Sequence, residues 1–361
     1  MGHLLFLEEC YMTWTHCVSE IPIRDWFGNR RFRDGVSVDG SVYLFGSDDA
    51  SEENGLQILS FHPQKHLWNV IQPLSPNEVS TNDGLAPKGE DTYFVVSHNQ
   101  KVYVCVGDQR INAGEIYIFD TRSFRWSCVA TSGDVPSGSM RVCTSEHNGH
   151  IYMCADCDIN DYLSDGSYIW SLELHTMRWK IVATGGWTRK YSPRCVVPYE
   201  NRLYVLLQRI GDFTTRTHDD VTYFDLTTKK WVWLEPPGLK PIANQDWIPF
   251  VHRHHLYVLL CESWWGDYDI VTKNEVVTRY SFIKNEWEQV WFKGISPTDV
   301  LNSLCVVDNI VIFFSCYKKK AYVLNFFPTL RSLCLQAVSR YKLDSTLLPE
   351  ILKRELVMYS Y

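Results

Sequence analysis

Two short clusters gather residues able to hold a metal. Cys154-Ala-Asp-Cys157 has the spacing of half a zinc site, and His252-Arg-His-His255 puts three imidazoles within four positions. Neither is completed elsewhere in the chain. A structural zinc needs four ligands, and the C-x-x-C has no second pair and no His-x-x-x-His partner. If the strand at Leu256 began early, His252 and His254 would share one face, yet no cysteine or carboxylate pattern fills a coordination sphere around them, so a turn of solvated histidines is the simpler reading. The spacing yields no Ser/His/Asp grouping, phosphate loop or paired catalytic carboxylates. The expectation is a binding protein with no metal, no cofactor and no catalysis of its own.

Charge narrows the partners. Against 35 Lys and Arg stand 42 Asp and Glu, a net charge of −7, with no basic block to neutralise phosphates, so direct nucleic-acid binding is not expected. A hydrophobic content of 45% is enough to bury a core, which excludes disorder over most of the length. The N-terminal apolar run, Leu4 to Leu7, has no basic residue before it and ends at Glu8, unlike a signal peptide. Phe6 stands where a myristoylation site needs Ser or Thr, and no apolar stretch approaches a membrane span. The remaining cysteines sit singly, half of them inside apolar runs, as buried reduced thiols do. These features fit an intracellular protein of the cytoplasm or nucleus.

The elements that must carry any site come from a repeat. An apolar run with Tyr second recurs at Tyr43, Tyr103, Tyr152, Tyr204 and Tyr257, spaced 60, 49, 52 and 53 residues apart. After each comes an alternating run, a polar turn and a Trp: Trp68, Trp126, Trp179, Trp231 and Trp287. Strands of four to six residues with period-two alternation, repeating about every fifty residues, describe one four-stranded sheet per repeat. Stacked sheets of that kind form a β-propeller. A sixth repeat opens at Ile310 and lacks its Trp, whereas Trp14 lies one repeat length before Trp68. The expectation is an all-β, six-bladed propeller closed by an N-terminal strand, with the Trp residues wedged between sheets. The element Asp120 to Trp126, repeated as Asp225 to Trp231, resembles the kelch repeat. The paired glycines usual in kelch repeats shrink to Gly46 and Gly107 and then give way to Cys154-Ala155, Leu207-Gln208 and Cys261-Glu262. Glycine serves where the backbone turns in a way other residues resist, so altered corners are expected there.

Beyond Phe326 the period changes to about 3.6. Thr329 can cap a helix with an apolar stripe at Leu330, Leu333, Cys334, Ala337 and Val338, and a second helical segment runs from Leu347 to Leu356 with Pro349 early in it. The plain reading is a helical hairpin packed on the ring. Residues 1–11 thus form an N-terminal extension, 12–327 the propeller and 328–361 a helical tail.

The tail carries a second resemblance. Thr329-Leu330-x-x-Leu333-Cys334-x-x-x-Val338 resembles the BC-box that binds Elongin C, and Leu348-Pro349-x-x-Leu352-x-x-x-Leu356 resembles the cullin-2 box that follows it. Together with the kelch repeats and Met12-Thr-Trp-Thr15, the chain resembles the kelch domain-containing protein 3 family from Met12 to Leu356. The resemblance implies a substrate receptor of a cullin-2 RING ubiquitin ligase, with Elongin B and Elongin C, cullin-2 and its RING subunit as partners. Thr329, Leu330, Leu333, Cys334 and Val338 would seat in one partner groove, and Leu348, Pro349, Leu352 and Leu356 in another. It further implies that the propeller takes degrons at the extreme C-terminus of substrates.

A receptor for a chain terminus must neutralise a carboxylate, for which Arg supplies a two-pronged contact. Residues just after the second strand of each blade lie at a rim of the channel, which nominates Arg110, Arg209, Trp264 and Trp265. Arg209 matches the Arg after the double glycine in related receptors. Arg189 and Arg194 stand behind it, reached through the loop entering the fourth blade. Asn244-Gln-Asp-Trp247 replaces a serine-bearing segment of relatives, pointing to a different degron preference. The alternative is a kelch scaffold for cytoskeletal or chromatin partners with no ligase role; a galactose-oxidase-like enzyme would need a copper site that the sequence does not assemble.

Overall fold

The computed structural model describes residues 13–17, 30–48, 56–63, 67–71, 87, 91–107, 111–138, 142–155, 167–188, 191–209, 219–241, 246–261, 276–291, 303–308, 310–315, 320–326, 338, 346, 348–349 and 352. The alternating runs form six sheets in chain order, blades I to VI, antiparallel except where Ser132–Gly133 runs parallel beside Arg178–Thr184 in blade III. Blade I comprises Arg30–Val38, Ser41–Asp48, Gln57–His62 and Leu67–Ile71 from the inside outward, and blades II to V repeat the plan. Blade VI takes Ser303–Val307, Ile310–Ser315 and Lys320–Asn325 from the end of the ring, and its outer strand is Thr13–Cys17. Trp14 pairs with Leu324 in that strand. Trp68 pairs with Phe61 and Trp126 with Phe119 at the corresponding place in their blades, so Trp14 holds the register of a sixth repeat Trp. Closure of the ring by this strand leaves no open flank between last and first blade.

The repeat residues divide the work of holding neighbours together. Tyr43, Tyr103, Tyr152, Tyr204 and Tyr257 are all buried and pack forward onto the next blade. Trp68, Trp126, Trp179, Trp231 and Trp287 pack backward onto the preceding one. The Trp68 ring meets Phe314 of blade VI edge-on at 5.6 Å, and Trp126 meets Phe45 of blade I at 6.1 Å. The indole N–H of Trp179 donates to the Ala113 carbonyl of blade II at 3.1 Å, and that of Trp231 to Thr184 of blade III at 2.8 Å. These rings are the wedges the sequence predicts. Gly186 exists for one of them, since a Cβ there would collide with the Trp231 ring.

The polar turn ahead of each Trp has its own logic. Six residues before Trp126, Trp179, Trp231 and Trp287 stand Asp120, Glu173, Asp225 and Ser281, each an acceptor for the turn that follows. Asp120 accepts the N–H groups of Arg122 and Ser123, both at 2.9 Å, and Asp225 those of Thr227 and Thr228 at 2.9 and 2.8 Å. Glu173 accepts the Thr176 hydroxyl and Ser281 the Lys284 N–H. These bonds favour the ionised carboxylates and hold Asp120 and Asp225 below the usual range, the Ser123 and Thr228 amides contributing most. Each turn then passes through a left-handed residue, Phe124, Met177, Lys229 or Asn285, before the outer strand begins.

Two of the replaced glycine pairs, Cys154-Ala155 and Leu207-Gln208, need no special backbone. Cys154, Ala155, Leu207 and Gln208 continue the strand ladder in register, opposite Ile169, Tyr168, Asp220 and Asp219, with none of them at positive φ. The expected altered corners are therefore absent at these positions. Among the described residues no helix is long and apolar enough to cross a membrane.

Candidate functional site

A four-stranded blade has two unlike ends. At one end the first strand turns into the second through two residues: Asp39-Gly40, Asn99-Gln100, Asn148-Gly149, Glu200-Asn201 and Arg253-His254. Both Asn99 and Gln100, like Asp39 and Gly40, have left-handed φ, the geometry of tight hairpin turns. At the other end the second strand leaves for the third through longer connections and one blade passes to the next. Arg209 is at this loop-bearing end, the last residue of Arg202–Arg209, with its backbone opposite Tyr191 at the start of the inner strand. Arg110, Trp264 and Trp265 lie outside the described residues, as does Arg189.

Arg194 is better placed than the sequence reading allowed. It belongs to the inner strand Tyr191–Tyr199, not to the loop before it. Pro193 pairs with Leu207 and Cys195 with Leu206, so Arg194 is the extra residue of a β-bulge. Its side chain is half-buried. The same irregularity recurs in blade I between Phe32 and Asp34, at Arg33, and in blade II between Thr92 and Phe94, at Tyr93. In each case the bulge falls six residues before the first turn residue. Bulges bend a strand and re-aim one side chain, and they concentrate beside functional sites. Arg33, Tyr93 and Arg194 thus occupy equivalent positions on the strands that ring the central channel. Sequence reasoning missed two of them and undervalued the third. The constant offset from the hairpin turn was the available signal.

The first residues of the inner strand that carries Arg194 are aromatic and polar. The Tyr191 and Trp233 rings lie 5.6 Å apart, and Trp233 is 45% exposed at the surface. Ser192 and Gln208, paired with each other, are buried beneath. This combination can hold an anionic group on a guanidinium with a flat apolar surface alongside.

The turn-bearing end holds the histidines, and its chemistry is structural. Asp39, Ser97, His98, Asn99, Gln100 and Glu146 line a cleft of about 580 Å³ where blades I, II and III meet. Glu146 Oε1 lies 2.9 Å from His98 Nδ1 and accepts the Gly149 N–H at 3.0 Å, while His98 Nε2 contacts Asn99 at 2.8 Å. Both ring nitrogens of His98 are thereby engaged, which leaves none for a metal. The Ser97 hydroxyl donates to Ser37 of blade I at 3.0 Å. Across blades IV and V, Tyr199 and His254 share a 2.9 Å hydrogen bond. His252 stacks on Phe326 with ring centroids 4.1 Å apart, tying blade V to the chain leaving blade VI.

The reading of these histidines as solvated holds for His254, which is exposed, and is corrected for His252 and His255. His252 is buried and His255 half-buried, and burial is the main reason each is held down to about 4, with Arg253 and Arg279 respectively adding to it. Close to His255, Glu288 receives Arg279 at 2.6 Å and Lys284 at 2.7 Å. Burial alone would raise the Glu288 carboxyl, but the Lys284 and Arg279 contacts prevail and bring it to about 2. Among the described residues no group of three or more His, Cys, Asp or Glu could hold a metal ion.

Of the tail, Thr329, Leu330, Leu333, Cys334 and Leu356 lie outside the described residues. Val338 and Leu352 have helical backbone, and the Leu352 N–H donates to the Pro349 carbonyl at 2.8 Å. Val338, Leu348 and Leu352 are half-buried and Pro349 is exposed.

Residues 34–259 match the family model of the KLHDC2/KLHL20/DRC7 Kelch-repeats domain. Kelch domain-containing protein 3 of Bos taurus is 23% identical over 362 aligned positions, covering 89% of this chain and 90% of that protein. The Homo sapiens protein of the same description is 23% identical over 359, with the same shares. Among solved structures, that of YjhT superposes with a TM-score of 0.52 at 12% identity, over 81% of this chain and 93% of its own, a likeness of fold.

Proposed function

Because the chain belongs to the KLHDC2/KLHL20/DRC7 kelch-repeat family, we propose that it acts as the substrate-recognition subunit of a cullin-2 RING ubiquitin ligase, an adaptor without catalysis of its own. The observation that carries this reading is the order of parts in the sequence. A propeller is followed by Thr329-Leu330-x-x-Leu333-Cys334-x-x-x-Val338 and, within twenty residues, by Leu348-Pro349-x-x-Leu352-x-x-x-Leu356. Either box alone is a loose apolar pattern; their order and spacing after a kelch ring make the combination specific. In this reading the first helix seats Leu330, Leu333, Cys334 and Val338 in a groove of Elongin C, and the second meets cullin-2.

The propeller end of the adaptor is the loop-bearing face. Arg209 and Arg194 receive the C-terminal carboxylate of a substrate, with Arg110, Trp264 and Trp265 completing the rim. The placement of a bulged arginine beside the strand end that carries Arg209 supports this part.

The test is co-purification of the full chain with Elongin B and Elongin C. The complex is expected with the wild type and lost in the Leu330→Ala, Cys334→Ala double variant, whose propeller keeps its melting temperature. Retained complex in that variant defeats the proposal. The half-burial of Val338, Leu348 and Leu352 favours a second reading, a kelch scaffold whose tail packs on its own ring. Protection of residues 329–356 from protease in the isolated chain would support that reading instead.

A further inference from the structure

We propose that Cys143 and Cys154 are a peroxide-sensitive dithiol whose oxidation staples the loop-bearing end of the inner hairpin of blade III. The two residues are register partners on adjacent antiparallel strands, Val142–His147 and His150–Ala155. Their side chains therefore leave the sheet on the same face, and their sulfurs stand 2.9 Å apart as thiols. A disulfide needs about 2.05 Å, so closing the bond requires the sulfurs to approach by only about 0.9 Å. Only one pair, Val142 with Ala155, separates them from the end of the ladder. The bond would fix the hairpin where it meets the loop-bearing face.

Contact and the partial exposure of one sulfur mark this pair among the described thiols. Cys143 is half-buried and Cys154 fully buried behind it, an arrangement in which a small oxidant reaches one sulfur and the second resolves it. Burial pushes the Cys105 thiol up to about 12 and raises Cys305 and Cys195, with Cys143 as a further cause for Cys195. Thiols held protonated are poor nucleophiles, so Cys105, Cys195 and Cys305 are not favoured as the first target of an oxidant. The oxidant is hydrogen peroxide. The Cys143 sulfur attacks one peroxide oxygen to give a sulfenic acid, and the other oxygen leaves as hydroxide, which takes the Cys143 proton and becomes water. The Cys154 sulfur then attacks the Cys143 sulfur, forming the S–S bond and expelling the hydroxyl, which leaves as water with the Cys154 proton. Two thiols lose two electrons and two protons, and one peroxide becomes two waters. Thiol reductants reverse the step.

The site does not depend on the ligase reading, and the experiment needs no partner. Full-length reduced protein is treated with hydrogen peroxide, its remaining thiols are alkylated, and peptides are mapped without reduction. The expected result is a loss of two hydrogens, a linked pair of peptides carrying Cys143 and Cys154, reversal by dithiothreitol, and absence of the link in Cys143→Ser. Alkylation of both residues after peroxide, or linkage of either one to Cys157 or Cys195, overturns the proposal. Should Cys143→Ser fail to fold, the wild-type map decides alone.

Discussion

The two ends of the ring are built to opposite rules. At the turn-bearing end, two-residue hairpins bring inner strands close, and side chains bridge blade to blade: Ser97 to Ser37, His98 to Glu146, Tyr199 to His254, His252 to Phe326. At the loop-bearing end the strands finish in long connections, and the inner strands of blades I, II and IV carry a bulge. One end invests its polar groups in contacts within the molecule. The other keeps an exposed Trp233 beside Tyr191, with Arg194 on the strand of Tyr191 and Arg209 at the end of the next. At the turn-bearing end these polar contacts hold neighbouring blades together; the proposed recognition site lies at the opposite end, where the long connections are.

This contrast can be broken first through the wedges common to both ends. Trp179 is fully buried and anchors blade III to blade II. Trp179→Ala should destabilise the chain by about 3–5 kcal/mol, as loss of a buried aromatic does, measured by urea unfolding. The next effect belongs to Arg279 and Glu288, whose side chains are 13% and 18% exposed. Arg279→Ala leaves a mostly buried carboxylate with only Lys284 as cationic partner and should cost up to about 3 kcal/mol.

Acid should act on the turn-bearing end in two stages. An imidazole with a folded value near 4 and an ordinary value of 6.5 binds protons more readily once unfolded. His252 and His255 therefore contribute their stability fully above pH 6.5 and lose it as pH falls toward 4. Glu288, at about 2 against an ordinary 4.5, keeps its contribution above pH 4.5 and loses it as pH falls toward 2. Melting temperature measured from pH 8 to pH 3 should thus begin to decline below about 6.5, and His255→Gln should flatten the first part of the decline. The smallest effect on stability is expected at the other end: Arg194→Ala and Arg209→Ala should each change it by about 1 kcal/mol or less, as substitutions outside the core do.

Much of the ring could be read from the chain. Tyr and Trp recur because each blade needs one ring forward and one backward, so their spacing reports the blade. Trp14 announced the closing strand in the same way. The bulges at Arg33, Tyr93 and Arg194 were hidden, since one extra residue in an inner strand shifts register without disturbing the composition of the run. The state of His252 was hidden for another reason: the Phe326 ring that covers it lies more than seventy residues away. Cys143 and Cys154 were legible and overlooked, being equidistant from the Asn148-Gly149 turn that pairs their strands. The sequence reading weighed Cys154 only with Cys157, as half a zinc site, and set that site aside. As for the candidate site, Arg209 was nominated through resemblance and Arg194 as a weaker candidate, and only the register shows that Arg194 is the bulged residue of the inner strand.

The measurement that bears most directly on the division of labour between the two ends is the affinity of the full chain, with Elongin B and Elongin C, for a panel of peptides differing in their C-terminal residues, each made with a free and an amidated terminus. The account predicts a subset bound through the free carboxylate, weakened at least tenfold by amidation and by Arg194→Ala with Arg209→Ala, and unchanged by Asp39→Ala at the turn-bearing end. Equal binding of free and amidated peptides, or loss of binding on Asp39→Ala with Arg194 and Arg209 dispensable, would contradict it.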